Sequence, residues 1–166
     1  MKKIFLIVVV FCFSLSGCER DDVCDPETST TPMLVIEFFD AFLQTSPKII
    51  NNLAIVEIGN TIGFSLTSGT KIKIPLKTQL DVTKLRFIKD YSNPPNASTN
   101  DDVLEFNYTR KNEYISRACG FKTIFTLSPG LPVLTDPTAN GTWIQGIVVV
   151  QPNIINENET HIKIYF

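Results

Sequence analysis

Lys71-Ile72-Lys73-Ile74-Pro75-Leu76-Lys77 alternates charged and apolar side chains through most of its length. In an extended chain successive side chains point to opposite faces, so Ile72, Ile74 and Leu76 share one face while Lys71, Lys73 and Lys77 share the other. This is the pattern of a strand with one face in a core and one in water. Leu34, Ile36 and Phe38 alternate with Val35, Glu37 and Phe39 in the same way, and Ile162, Ile164 and Phe166 alternate with His161, Lys163 and Tyr165. Further strands are expected over residues 53–58, 63–67, 83–89, 102–109, 113–127 with a break or bulge at Gly120, and 142–151. Ser68-Gly69 reads as a tight turn and Arg110-Lys111-Asn112 as a polar hairpin tip. No sustained helical stripe occurs, and residues 41–50 have room for one short helical turn before Pro47. Eight or nine short strands punctuated by turns predict an all-β chain, a single antiparallel β-sandwich of immunoglobulin-like type, over residues 33–166. Two loops exceed hairpin length, Tyr91 to Asp101 and Ser128 to Gly141, and both read as mobile connections.

The start of the chain has a different chemistry. Lys2 and Lys3 precede an unbroken apolar run of ten residues, Ile4 to Phe13, and Leu15-Ser16-Gly17-Cys18 follows. Ten residues are too few to cross roughly 30 Å of hydrocarbon as a helix, but they suit the core of a secretory signal. Small residues directly before a cysteine resemble the lipobox of bacterial lipoproteins, so residues 1–17 are expected to be removed and Cys18 to carry lipid. Two or three acyl chains make such attachment lasting, where one chain binds only marginally. Residues 18–32 are polar and acidic, too poor in apolar side chains to order themselves, and read as a tether that is flexible except where Cys24 pins it. Glu19, Asp21 and Asp22 directly follow the lipidated position. They read equally as a solvated linker and as a resemblance to the surface-export signal of Bacteroidetes lipoproteins.

Removal of residues 1–17 leaves 149 residues, one domain's worth, with 13 Lys+Arg against 17 Asp+Glu. That balance gives no footprint for nucleic acid. Of the four cysteines, Cys12 leaves with the signal and Cys18 takes lipid, leaving Cys24 and Cys119. A pair in an exported chain is expected to form a disulfide closing a loop of about 95 residues. The alternative is a buried Cys119 beside a free Cys24 thiol.

Little in the sequence points to chemistry. His161 is the only histidine, expected on a solvated strand face, which leaves no second imidazole for a histidine zinc site, and a Cys119 nucleophile would need that one ring beside it and forfeit the disulfide. No phosphate-loop or dinucleotide fingerprint occurs. Glu37, Glu57 and Glu105 lie in expected strands, where two on one face would serve as the acid and base of a glycosidase. Asp21, Asp22, Asp25 and Glu27 lack the glycine and spacing of a calcium loop. Trp143 is expected in the core rather than as a sugar platform. No cofactor or metal is expected.

The segments Cys18-Glu19-Arg20-Asp21-Asp22-Val23-Cys24, Leu34-Val35-Ile36-Glu37-Phe38-Phe39-Asp40 and Tyr108-Thr109-Arg110-Lys111-Asn112-Glu113-Tyr114-Ile115-Ser116-Arg117-Ala118-Cys119-Gly120 together resemble an uncharacterised family of small Bacteroidetes envelope lipoproteins, a domain of unknown function. The resemblance implies an envelope lipoprotein and supplies no catalytic residues. The expectation is a non-enzymatic protein of the outer membrane, held by its lipid and working in binding or assembly with an envelope protein complex or a surface glycan. Its rivals are a small glycan-processing enzyme using strand carboxylates and a pilin-like surface subunit.

Overall fold

The computed structural model describes residues 23–60, 63–92, 99–139 and 141–166. Eleven strands and no helix occur among them: β1 (Leu34–Phe39), β2 (Ile50–Glu57), β3 (Gly63–Gly69), β4 (Lys71–Ile74), β5 (Val82–Lys89), β6 (Asn100–Ser116), β7 (Gly120–Leu127), β8 (Val133–Thr135), β9 (Gly146–Val149), β10 (Asn153–Ile154) and β11 (Ile162–Tyr165). They form two sheets, one ordered β4-β1-β11-β9 and one ordered β10-β7-β6-β5-β2-β3, with β8 beside β6. The sheets pack face to face as the expected β-sandwich.

The alternation read from the sequence becomes the core. Leu34, Ile36, Phe38, Ile162 and Ile164 face inward from the smaller sheet and meet Leu53, Ile55, Leu85, Phe87, Leu104 and Phe106 of the larger one, all of them buried. Burying side chains of this size stabilises by roughly 1.5–3 kcal/mol each, which is why the period-two pattern dictates the strand faces. Trp143 joins the core as expected: its ring meets Phe166 edge-on at 5.8 Å, and Nε1 donates to the Phe87 carbonyl at 3.2 Å. A buried indole needs such an acceptor.

Four local expectations are corrected. Residues 41–46 form a tight turn instead of a helical turn: the Asp40 carboxylate accepts the Phe42 and Leu43 N–H groups, each at 2.8 Å, but the Ser46 N–H donates to the Leu43 carbonyl and the chain then turns back to bridge Phe39 at Pro47, which also ends any helix. Arg110, Lys111 and Asn112 lie inside β6, paired with Phe125, Ile124 and Thr123, and the hairpin turn falls at residues 117–119. Gly120 makes that turn possible, since its φ of 69° is one that L side chains rarely adopt. The strand expected over 142–151 shortens to β9, with Trp143 and Ile144 in the irregular segment before it. Thr70 alone separates β3 from β4, yet the two belong to different sheets, so Ser68-Gly69 leads across the sandwich instead of closing a hairpin.

One pairing is parallel. β1 and β11 run side by side with Ile36 opposite Ile162 and Phe38 opposite Ile164, while the other strand pairs described are antiparallel. β11 thereby lies in the middle of its sheet, bonded to β9 on its other edge.

Candidate functional site

The most distinctive geometry lies at the far end of β6 and β7. These strands pair from Tyr108 and Leu127, through Asn112 and Thr123, to Ser116 and Gly120. Tyr108 is 2% exposed and belongs to the core, whereas Tyr114 and Phe121 are 62% and 67% exposed. The hairpin therefore outruns the sandwich and forms an arm whose side chains are mostly polar or exposed, with Ile115 and Ile124 half-buried and Thr123 covered by the chain returning from Cys24. That explains why Arg110 to Asn112 reads as a turn in the sequence although it is strand: all three side chains are exposed, so the alternation that marks a strand is lost there.

At the tip Cys119 is bonded to Cys24, with their Cα atoms 4.9 Å apart. The Cys119 N–H donates to Ser116 Oγ at 3.0 Å, which closes the turn that presents the sulfur. From Cys24 the chain returns along the arm, and Thr31 Oγ1 accepts the Thr123 N–H at 2.9 Å. Pro32 is buried, and the Met33 N–H donates to Glu157 Oε1 at 2.9 Å before β1 begins. The segment after Cys24 is thus tied at both of its ends. Cys18, Glu19, Asp21 and Asp22 lie outside the described residues.

The arm is basic on an acidic chain. Residues 110–122 contain Arg110, Lys111, Arg117 and Lys122 against Glu113 alone. Glu113 lies 3.5 Å from the Lys111 ammonium and 3.8 Å from that of Lys122. Arg110, nearer the base, bonds Asp81 at 2.6 Å and holds that carboxyl below its usual range. Tyr114 and Phe121 stand opposite each other across the strands, their rings 5.3 Å apart and edge to face.

The three strand carboxylates are not brought together. Glu37 lies in the smaller sheet, where it accepts from Thr160 Oγ1 at 2.8 Å and sits beside Lys71. Glu57 pairs with Lys77 and accepts from Asn60. Glu105 is bonded to Lys84 at 2.7 Å, the chief reason its carboxyl is held below the ordinary range. In register Glu57 stands opposite Leu85 and Glu105 opposite Lys84, so these two point to opposite faces of the larger sheet.

His161 departs from its expected solvated position: it is 0% exposed. Its Nδ1 accepts the Val35 N–H at 2.9 Å, and the His161 backbone N–H donates to the Val35 carbonyl at 3.0 Å. Burial pushes its pKa below the usual imidazole value, against the pull of Glu159 and Glu157. The ring is neutral and structural.

Asp102 carries a signal that the sequence reading missed. It opens the inward face of β6, fully buried, and its Oδ2 accepts the Ile144 N–H at 2.9 Å. Desolvation raises its pKa, with the backbone N–H groups of Ile144 and Trp143 working against that rise. The neighbouring Asn100 donates to the Gly141 carbonyl at 2.7 Å. Together they fasten the end of the long Ser128 to Gly141 connection beneath the core. Asp102 sits two residues before Leu104 and four before Phe106, and that phase alone marks it as inward-facing.

Among the described residues no group of three or more His, Cys, Asp or Glu side chains is placed to hold a metal ion. A cleft of about 230 Å³ opens beside the same long connection, lined by Phe106, Leu127, Leu131 and Val149 among others. It brings no titratable side chain with it.

A model of a family of unknown function (DUF6452) matches residues 52–166, more than half of the chain. The match takes in Cys119 and the whole arm but not β1 or Cys24. No curated protein and no solved structure matches the chain.

Proposed function

The chain belongs to the DUF6452 family of unknown function, and on that premise we propose that it is a lipid-anchored protein of the bacterial outer membrane with a non-catalytic role in binding or assembly. The observation that carries this reading is the Cys24–Cys119 bridge at the tip of the arm. Cys24 stands six positions after Cys18, the residue that resembles a lipobox cysteine. A bridge there shortens the path from lipid to folded domain to a few residues and fixes which end of the sandwich faces the membrane. A freely swinging domain would need no such staple. The acids Glu19, Asp21 and Asp22 support display on the cell surface, through their likeness to the export signal of Bacteroidetes lipoproteins.

The end of the sandwich away from the arm is then the working end. There Phe42 and Leu43 stand exposed on a turn that the Asp40 carboxylate holds in shape, and Ala41 is tied to the Phe166 carbonyl. Two neighbouring apolar side chains on a braced turn are a contact surface for an envelope protein. Purification of the lipoprotein from membranes under mild detergent tests this. The expected result is a co-purifying envelope partner that is lost in a Phe42→Asp, Leu43→Asp variant. Recovery of the protein alone, free in the soluble fraction, contradicts it.

A further inference from the structure

We infer that the tip of the β6–β7 arm rests on the phospholipid headgroup layer, with Tyr114 and Phe121 as its interfacial aromatics. This inference rests on the lipid-anchor reading and deepens it. The first support is reach. Six residues extend at most about 20 Å, so a lipidated Cys18 keeps Cys24, and through the bridge Cys119, within that distance of the bilayer surface. Tyr114 stands two positions from Ser116 and Phe121 one from Gly120, across a bulge, so the pair lies about 3–7 Å further along the strands. No other exposed aromatic pair is covalently held so near the anchor among the described residues.

The second support is chemical fit. Tyrosine and phenylalanine side chains bury apolar ring area at a wet boundary, and Tyr keeps its hydroxyl toward water. The pair is exposed although it is flanked by β-sheet hydrogen bonding on a rigid arm, so a binding surface needs no rearrangement to form. Charge adds nothing to these two supports: of the four basic residues of the arm, Arg110 is bonded to Asp81, and Lys111 and Lys122 share Glu113. Basic residues close to an anionic lipid surface contribute about 1 kcal/mol each. Glu19, Asp21, Asp22, Asp25, Glu27 and Glu113 against Arg20 and the four bases of the arm leave no positive surplus near the anchor, so the aromatic pair is the contact.

The test uses the mature lipidated chain, purified from membranes and reconstituted into vesicles of phosphatidylethanolamine and phosphatidylglycerol with and without brominated acyl chains. Trp143 is the only tryptophan and is buried at the opposite end of the core, so it serves as the internal reference. In a Phe121→Trp variant the added indole is expected to lose about half of its emission in brominated vesicles, at the depth of 5–10 Å typical of interfacial side chains. Trp143 should be unaffected. Tyr114→Trp provides a second reporter if Phe121→Trp misfolds. A chain that floats with the vesicles while both reporters remain unquenched overturns the inference and leaves the anchor reading standing. Unquenched reporters together with a membrane protein released by Tyr114→Asp also overturn it, assigning the pair to a protein partner. A chain with no acyl group on Cys18 that fails to float overturns the anchor reading and the inference with it.

Discussion

Val35 and His161 hold each other twice: the Val35 N–H donates to Nδ1 of the imidazole at 2.9 Å, and the His161 backbone N–H returns a bond to the Val35 carbonyl at 3.0 Å. The second bond extends the parallel pairing of β1 and β11 by one step, and the first replaces a ladder bond with a side chain. Nδ1 accepts only while it carries no proton, so the clasp exists with neutral imidazole.

That relationship sets a pH dependence. Burial places the folded-state pKa of His161 below the value of about 6.5 that it has when unfolded. Above that unfolded value both states are neutral and the clasp contributes in full. As pH falls below it, the unfolded chain takes up the proton first, so stability is lost progressively down to the folded pKa. Denaturant titrations between pH 8 and pH 5 are expected to show this loss in the wild type and a shallower slope in His161→Asn, which keeps an acceptor for Val35 but does not titrate. Equal slopes in the two proteins would sink the assignment.

The bridge at the arm tip predicts a stability effect. Cys24 and Cys119 are 95 positions apart, and closing a loop of that length restricts the unfolded chain by about 4–5 kcal/mol as an upper figure. Replacing both cysteines by Ser should lower the thermal midpoint markedly while the core keeps its near-ultraviolet signature. Reductant should have the same effect on the wild type and none on the variant. A midpoint indifferent to reductant would mean that the bridge constrains little.

Asp102 makes the opposite pH contribution to His161. Its raised pKa means that the folded state prefers the protonated carboxyl, so its charge costs stability at neutral pH and the cost is relieved as pH falls through the folded value toward the ordinary one near 3.8. Asp102→Ala removes the acceptor of a buried N–H and is expected to destabilise by about 1–3 kcal/mol. Asp102→Asn keeps an acceptor without the charge and should be distinctly milder at pH 7. If Asn proves as damaging as Ala, the carboxylate charge itself is what the Ile144 segment requires.

The strands of the core were legible because burial on one face forces a period of two, and Ile72, Ile74, Leu34, Ile36, Ile162 and Ile164 all obey it. In the arm the strand segments on either side of Gly120 were legible, but Arg110, Lys111 and Asn112 were not, because they have no buried face to impose a pattern. The turn at residues 117–119 announces itself only through Gly120. His161 continues the outward phase of Lys163 and Tyr165, yet it lies one step beyond β11, where the backbone of Val35 covers it; strand phase says nothing past the strand's end. The parallel β1–β11 pair has no local signature, since it joins segments more than 120 residues apart. The pairing of Cys24 with Cys119 was legible from cysteine arithmetic, but its place at an arm tip was not.

The central claim is that lipid at Cys18 and a staple at Cys24 together hold the arm at the membrane, and non-reducing peptide mass spectrometry of the protein extracted from membranes tests it most directly. The predicted result is a peptide that begins at Cys18, carries acyl mass on that residue, and is linked through Cys24 to the peptide containing Cys119. An unacylated peptide continuing upstream of Cys18, with Cys24 and Cys119 recovered as free thiols, would contradict the account.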